Sequence, residues 1–256
     1  MIEGNPATDG WVHVRVLPIA GEAVLIAEGE HRVMVVADLH LGIEYELWLG
    51  GANLPSQTGR LLDRILGVIE AHDPERLVVL GDLKHNVPRT SWQERVEVPE
   101  FISKLSKVVK VVLVPGNHDT GLRDLAPGAE VCEPEGVVID GVGYFHGHTF
   151  PSQEVLSSGI LITAHLHPSV RLVDPLGASR SERVWARSSP RGYESEIIIM
   201  PAFNPLCGSL PLNEMDEKKG PLMKLVDLNR SKIYLLDGTY LGRLEEIISA
   251  QRRKKR

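Results

Sequence analysis

Val33-Met34-Val35-Val36-Ala37-Asp38-Leu39-His40 decides how this chain is read: an apolar run ends in an aspartate and a histidine two positions apart. A run this short and rich in β-branched residues reads as a buried strand, so the polar pair falls where the strand stops. The pattern then returns four times. Leu77 to Leu80 leads to Gly81-Asp82, and Val108 to Val114 leads to Gly116-Asn117-His118-Asp119. Val137 to Phe145 leads to His146-Gly147-His148, and Ile160 to Ala164 leads to His165-Leu166-His167. Loops at strand ends bring distant residues together. One histidine after a strand says little, but five clusters of metal-ligand type in series require a common explanation.

Around these runs the rest of the chain falls into order. Ala23 to Ala27 and Arg32 to Ala37 read as a hairpin closed by Glu28-Gly29-Glu30. Leu61, Leu62, Ile65, Leu66 and Ile69 have helical spacing, which predicts a helix from Gln57 to His72, ended by Asp73-Pro74. A second helix is expected over Pro99 to Lys107. Strand–helix–strand order up to residue 114 implies α/β architecture. Beyond it, Val131 to Phe145, Ile160 to Ala164, Glu196 to Met200, Met223 to Leu228 and Lys232 to Leu236 read as strands, the last two as a hairpin around Asn229-Arg230-Ser231. A terminal helix carries Leu244, Ile247 and Ile248. The expected fold is α/β, two facing mixed β-sheets flanked by helices. It forms a single domain with a core over about 23–204 and a C-terminal hairpin and helix over 221–256. Asp174 to Tyr193 lacks periodicity and reads as a long loop.

Composition bounds the function classes. At 256 residues, 43% hydrophobic and 24% charged, the chain is ordinary for a globular protein with ample core. No apolar stretch approaches the roughly 20 residues that span a bilayer. Met1-Ile2-Glu3-Gly4 lacks the basic start and apolar core of a secretory signal, so a cytoplasmic location is expected. Cys132 and Cys207 belong to no CxxC pair and fit reduced thiols. His13, His31 and His72 stand outside the five clusters and are assigned no role. The net charge of −6 offers no global attraction for polyanions. Locally, Arg171, Arg180, Arg183, Arg187 and Arg191 share their stretch with only Asp174 and Glu182 as acids, and the chain ends Arg252-Arg253-Lys254-Lys255-Arg256. The arginine stretch reads either as solvated charge or as phosphate contact, with Trp185 and Tyr193 placed to stack on unpaired bases.

Aspartate, histidine and asparagine together suit a borderline divalent cation such as Mn²⁺, Zn²⁺ or Fe²⁺. A carboxylate such as that of Asp82 can serve two cations at once. Two cations about 3.5–4 Å apart clamp the attacking and leaving oxygens of an in-line displacement at phosphorus and acidify a bridging water into the nucleophile.

In all five motifs and their order, roughly over residues 33 to 204, the chain resembles the calcineurin-like metallophosphoesterase superfamily. The family's final glycine is replaced here by Ala164. The resemblance implies that Asp38, His40, Asp82 and His167 hold a first metal, that Asp82 bridges, and that Asn117, His146 and His165 complete a second. His148 is the alternative to His146. By the same resemblance His118 binds no metal but protonates the leaving oxygen or stabilises the transition state, with Asp119 orienting it. Gly81-Asp82-Leu83-Lys84-His85 looks like the G-D-L-x-H of the nuclease subunit of the double-strand-break repair complex and of DNA ligase-associated phosphoesterases. That likeness makes His85 a second catalytic histidine facing the scissile diester. Ala37-Asp38-Leu39-His40-Leu41-Gly42-Ile43-Glu44 is similar to the DNA ligase-associated type and its uncharacterised archaeal relatives. The implied function is a metal-dependent phosphodiesterase working through a metal-activated hydroxide, with Mn²⁺ as the expected ion and Zn²⁺, Fe²⁺ or Ni²⁺ as alternatives. The expected substrate is DNA or RNA, so the enzyme would be a nuclease, compatible with a helicase or ligase partner. The rival readings are a cyclic-nucleotide phosphodiesterase, a phosphomonoesterase and a non-catalytic scaffold.

Overall fold

The computed structural model of the protein describes residues 14–174, 176–215 and 220–254, the last three as backbone only. His13 and the side chains of the basic tail lie outside this description. One sheet contains six strands in chain order: β1 (Arg15–Pro18), β2 (Leu25–Glu28), β3 (Arg32–Ala37), β4 (Arg76–Leu80), β5 (Lys110–Val114) and β6 (Glu130–Val131). β1, β2 and β3 are antiparallel, and β3 to β6 are parallel. The second sheet is built from β7 (Val137–Ile139), β8 (Val142–Tyr144), β9 (Ile160–Thr163), β10 (Pro168–Val173), β11 (Ser179–Ser188), β12 (Glu196–Ile199) and β13 (Leu210–Pro211). Its order is β13-β10-β11-β12-β9-β8-β7. β14 (Lys232–Leu235) pairs with β11 and with β15 (Tyr240–Arg243), so the C-terminal hairpin extends the second sheet.

Strand alternation sorts the side chains into layers. Val33, Val35 and Ala37 of β3, with Val78 and Leu80 of β4, face Tyr144, Ile162, Trp185, Ile198 and Met200 across the gap between the sheets. Their neighbours Met34, Val36, Leu77 and Val79 turn outward. There they meet Leu61, Leu62 and Ile65 of α2 (Thr58–His72) and Val98, Phe101, Ile102 and Leu105 of α3 (Trp92–Leu105). On the far side Leu161, Val184, Ile197 and Ile199 pack against Leu222 and Leu225 of α6 (Pro221–Leu225) and Leu244 of α7 (Leu244–Lys254). The layering is α/β/β/α. Shorter helices α1 (Ile43–Leu49), α4 (Leu122–Leu125) and α5 (Gln153–Leu156) lie in the connections. No helix among the described residues is long and apolar enough to cross a membrane. Cys132 and Cys207 are both free thiols.

Three expectations are corrected. The second helix begins at Trp92, not Pro99, because Ser91 and Glu94 form a reciprocal capping box at its start. Pro99 lies inside the helix, where buried Val98, Phe101, Ile102 and Leu105 hold the turns on either side. Met223 to Leu228 is not a strand: α6 occupies its first half, with Pro221 at the helix start, and a 3-10 turn begins at Leu228. The hairpin that follows instead turns through Asp237-Gly238.

The third correction concerns the arginine stretch, which is no loop. β11 runs from Ser179 to Ser188 and pairs with β10, β12 and β14. Its period is masked because charged ends stand on a buried centre. Trp185 is 3% exposed between the sheets, which excludes it from stacking on a substrate. Arg183 donates to the carbonyl of Ala202 at 2.8 Å, and Arg187 pairs with Glu196. Arg180 pairs with Glu182, and Arg171 with Glu214. The stretch thus spends most of its cations on internal partners.

Candidate metal centre

All five clusters converge at the C-terminal ends of β3, β4, β5, β8 and β9, where open parallel sheets place their sites. The backbone has to turn sharply there. Asp38, His40, Asp82, His165 and His167 all have positive φ, between 44° and 69°. Each non-glycine residue held there costs about 1–2 kcal/mol. Strain of this kind, borne by five candidate ligands and repaid by the surrounding fold, is characteristic of functional sites.

Two glycines make room. A Cβ on Gly81 would lie 2.1 Å from Cδ2 of His146, and one on Gly116 would lie 2.1 Å from Oδ1 of Asp82. Gly81 also has φ 75°, so no other residue suits the position.

The carboxylates sit at the centre. Asp38 is fully buried, and its Oδ1 lies 2.9 Å from Nε2 of His146 and 3.4 Å from Nε2 of His167. Oδ2 of Asp82 lies 3.5 Å from Nε2 of His40 and 3.7 Å from Nε2 of His146, while its Oδ1 accepts from the backbone N–H of His118 at 2.8 Å. Ligand atoms of Asp38, His40 and Asp82 form one compact set, and those of Asp82, His146 and His165 form another, with Asp82 in both. His167 joins His40 in a third set with Cys207. Asn117 is exposed on the turn between Gly116 and His118. His148 stands behind His146, Nδ1 to Nδ1 at 3.1 Å, on the side of the ring away from the carboxylates.

Charge follows from this geometry. Burial alone raises the carboxyl of Asp38, but the charge of His167 and hydrogen bonds from His146 and His167 hold it well below the usual carboxylate range. Burial alone lowers His167, yet the Asp38 carboxylate brings it up to about 9. Burial pushes His40 down to about 3, and it pushes His165 and His148 down to about 4. Those three imidazoles keep free lone pairs at neutral pH, the form a cation needs. Burial raises the carboxyls of Asp82 and Asp119.

A chain of contacts prepares His40. Nε2 of His85 meets the carboxylate of Glu46, and Nδ1 of His85 lies 3.1 Å from Nδ1 of His40. A carboxylate only accepts, so His85 donates through Nε2; when neutral, its Nδ1 accepts from Nδ1–H of His40. Nε2 of His40 then carries a bare lone pair, and it is buried with no hydrogen-bond partner. An orphaned nitrogen beside two buried carboxylates fits a divalent cation.

Two expectations about neighbours change. His85 does enter the site, its ring stacked on that of His118 at 5.5 Å, but both of its nitrogens have partners. Asp119 does not touch the His118 ring. Its Oδ2 accepts from the N–H of Gly116 at 2.8 Å and its Oδ1 from the N–H of Lys84 at 3.2 Å, tying the β4 and β5 loops together. Nδ1 of His118 meets the carbonyl of His85 instead. Glu46 and Cys207 were invisible to sequence reasoning, since neither belongs to a motif. Glu94 had a legible signal in Ser91-x-x-Glu94, and its carboxylate also accepts from the N–H of His85 at 2.8 Å and of Asn86 at 2.6 Å.

Comparison with protein families matches residues 31–200 to the calcineurin-like phosphoesterases, a span that holds all five motifs. Comparison with curated protein sequences gives no match. Among solved structures the chain is similar to a nuclease, MPE, from Pseudomonas putida, with a TM-score of 0.54 and 20% identity over 88% of this chain and 97% of that one. It also aligns with Yfce, a phosphoesterase from E. coli, at a TM-score of 0.40 and 18% identity over 82% and 97%. The first of these shares the fold of two mixed sheets flanked by helices. With five motifs gathered on two shared carboxylates inside a matched span of most of its length, the chain belongs to the calcineurin-like phosphoesterase family, hydrolases of phosphoric ester bonds.

Proposed function

We propose that this phosphoesterase cleaves phosphodiesters of nucleic acid. One observation carries the reading: His85, the last residue of Gly81-Asp82-Leu83-Lys84-His85, enters the centre with its ring stacked on that of His118, centroids 5.5 Å apart. It is this motif that resembles those of diester-cleaving nucleases. The Pseudomonas putida protein of similar fold is itself a nuclease, which agrees with this assignment.

Asp38, His40, Asp82 and His167 would hold one cation; Asp82, Asn117, His146 and His165 would hold the other. Bound there, the pair supplies Lewis acidity toward phosphoryl oxygens and acidifies water. His118 donates Nδ1–H to the His85 carbonyl, which leaves Nε2 to carry a proton to the departing oxygen. His85 is a positioning residue: its carbonyl aims His118, and its ring aims His40.

The test is cleavage by chelator-stripped, Mn²⁺-reconstituted protein of single-stranded DNA, duplex DNA, RNA and cyclic AMP, with His118→Ala as the contamination control. Bis- and mono-nitrophenyl phosphates run beside them to separate diester from monoester chemistry. Polymer cleavage by wild type alone is the expected result. Turnover of cyclic AMP or the monoester with all polymers intact overturns the reading.

A further inference from the structure

From the nuclease reading we infer a second feature, a nucleobase-binding groove beside the metal centre. A cavity of about 660 Å³ opens between α1 and the start of α3. It begins where the centre ends: Asn86, which follows His85, lines it, and so do Glu44 and Tyr45, beside the Glu46 that contacts His85.

Three large aromatic rings stand exposed along it. Trp48 is 57% exposed, Trp92 80% and Tyr45 42%, and all three line the groove. Tyr45 and Trp48 already stack, with centroids 6.0 Å apart and planes 27° from parallel. Nothing in the fold accounts for this: the third described tryptophan, Trp185, is buried, as a ring of that size ordinarily is.

The position of the groove selects the occupant. Its apolar part is three aromatics against one aliphatic, Leu54, and the remainder is polar. Such rings serve protein interfaces as well, but a groove continuous with a centre that cleaves phosphodiesters receives the nucleotides beside the scissile bond, and flat rings stack on their unpaired bases. The groove's two carboxylates are engaged: Glu44 accepts from the N–H of Gln57 at 2.7 Å, and Glu97 accepts from Ser56 Oγ at 3.0 Å. Its one cation, Arg89, has no carboxylate partner among the described residues and is free for a flanking phosphate. The groove therefore seats a base adjoining the scissile diester, from a single strand or from a mononucleotide.

The experiment measures binding on the full chain carrying His118→Ala, loaded with Mn²⁺ so that the strand survives. Probes are a labelled single-stranded oligonucleotide, the matching duplex and AMP, followed by anisotropy and by quenching of tryptophan emission. Trp48→Ala and Trp92→Ala are each expected to weaken single-strand binding roughly 5- to 150-fold, the range for one lost base stack. Trp92→Phe restores most of it, and Mn²⁺ stoichiometry by calorimetry reports that the metal centre is intact. AMP binding weakened in parallel places one base in the groove; strand binding weakened alone places several, and either supports the groove. Unchanged strand affinity in both alanine variants overturns it. So does a shift from dimer to monomer by light scattering with strand affinity retained, which assigns the face to a second copy. Wild type that hydrolyses bis-nitrophenyl phosphate but binds no strand refutes the nuclease reading itself, a result distinct from either.

Discussion

Replacing Gly81 by alanine puts the metal centre under a load whose size the structure states. The new Cβ would lie 2.1 Å from the His146 ring, where ordinary contact begins at 3.4 Å, so the ring must retreat by about 1.3 Å. Nε2 of His146 would then leave its place 2.9 Å from Asp38. Holding alanine at φ 75° costs about 1–2 kcal/mol, and overpacking a closed site adds about 1–3 kcal/mol. Together these lower the melting temperature by roughly 4–20 °C for a domain of this size. A ligand displaced by about 1 Å loses on the order of 10²-fold in function. Calorimetric titration with Mn²⁺ should show one of two sites weakened about 10- to 100-fold, and scanning calorimetry should show the lower transition. Gly67→Ala is the control: it lies in α2 with nothing within 4 Å of its Cβ, and it should stabilise by about 1 kcal/mol. Two wild-type Mn²⁺ affinities together with an unshifted transition in Gly81→Ala would refute the claim that this glycine exists to seat His146.

His118→Ala should retain both metals while the diester rate falls about 10²–10⁴-fold; a large drop in bound metal measured by elemental analysis would contradict its assigned role. Asn117→Ala should weaken the second metal selectively, which the same titration resolves as loss of one binding step. Glu46→Ala should weaken metal at His40 about 10-fold, toward the lower end for residues behind a ligand because Glu46 is exposed; an unchanged affinity would break the proposed Glu46–His85–His40 chain. Glu94 gives a pH signature. Burial alone raises its carboxyl, but hydrogen bonds from Asn86 and Ser91 hold it below the ordinary glutamate value. Its stabilising contribution is therefore complete above about pH 4.3 and is lost as pH falls through its lower folded value. The stability gap between wild type and Glu94→Gln, read from urea unfolding, should be widest near neutrality and close in acid; a gap that grows on acidification would reverse the assignment.

Most of the candidate site was legible because the residues it gathers stand in local patterns. A β-branched run that ends in Asp38-Leu39-His40 or His165-Leu166-His167 states both a strand and what stands at its end, and the unbroken apolar character of β3 and β4 marks them as buried on both faces. α2 was equally plain, since one helical face carries its whole apolar stripe. β11 was not: its ladder partners are β10, β12 and β14, and its buried centre of Val184, Trp185 and Ala186 is too short to outweigh the charged residues around it. α6 was misread because a helix of five residues, Pro221–Leu225, shows no period long enough to separate helix from strand.

The sequence by itself determined the chemistry available: which candidate ligands, at the ends of which strands, in which order. Only tertiary structure decided what each does with its neighbours. It gave Asp119 to two backbone N–H groups rather than to His118, occupied both nitrogens of His85, brought Glu46 beside His85 and Cys207 beside His40, and left Trp48 and Trp92 in the open. The reason is physical. Strand period and residue type are local properties of the chain. A hydrogen bond between Glu46 and His85, or a left-handed turn at Asp82, exists only once distant segments have been packed into contact.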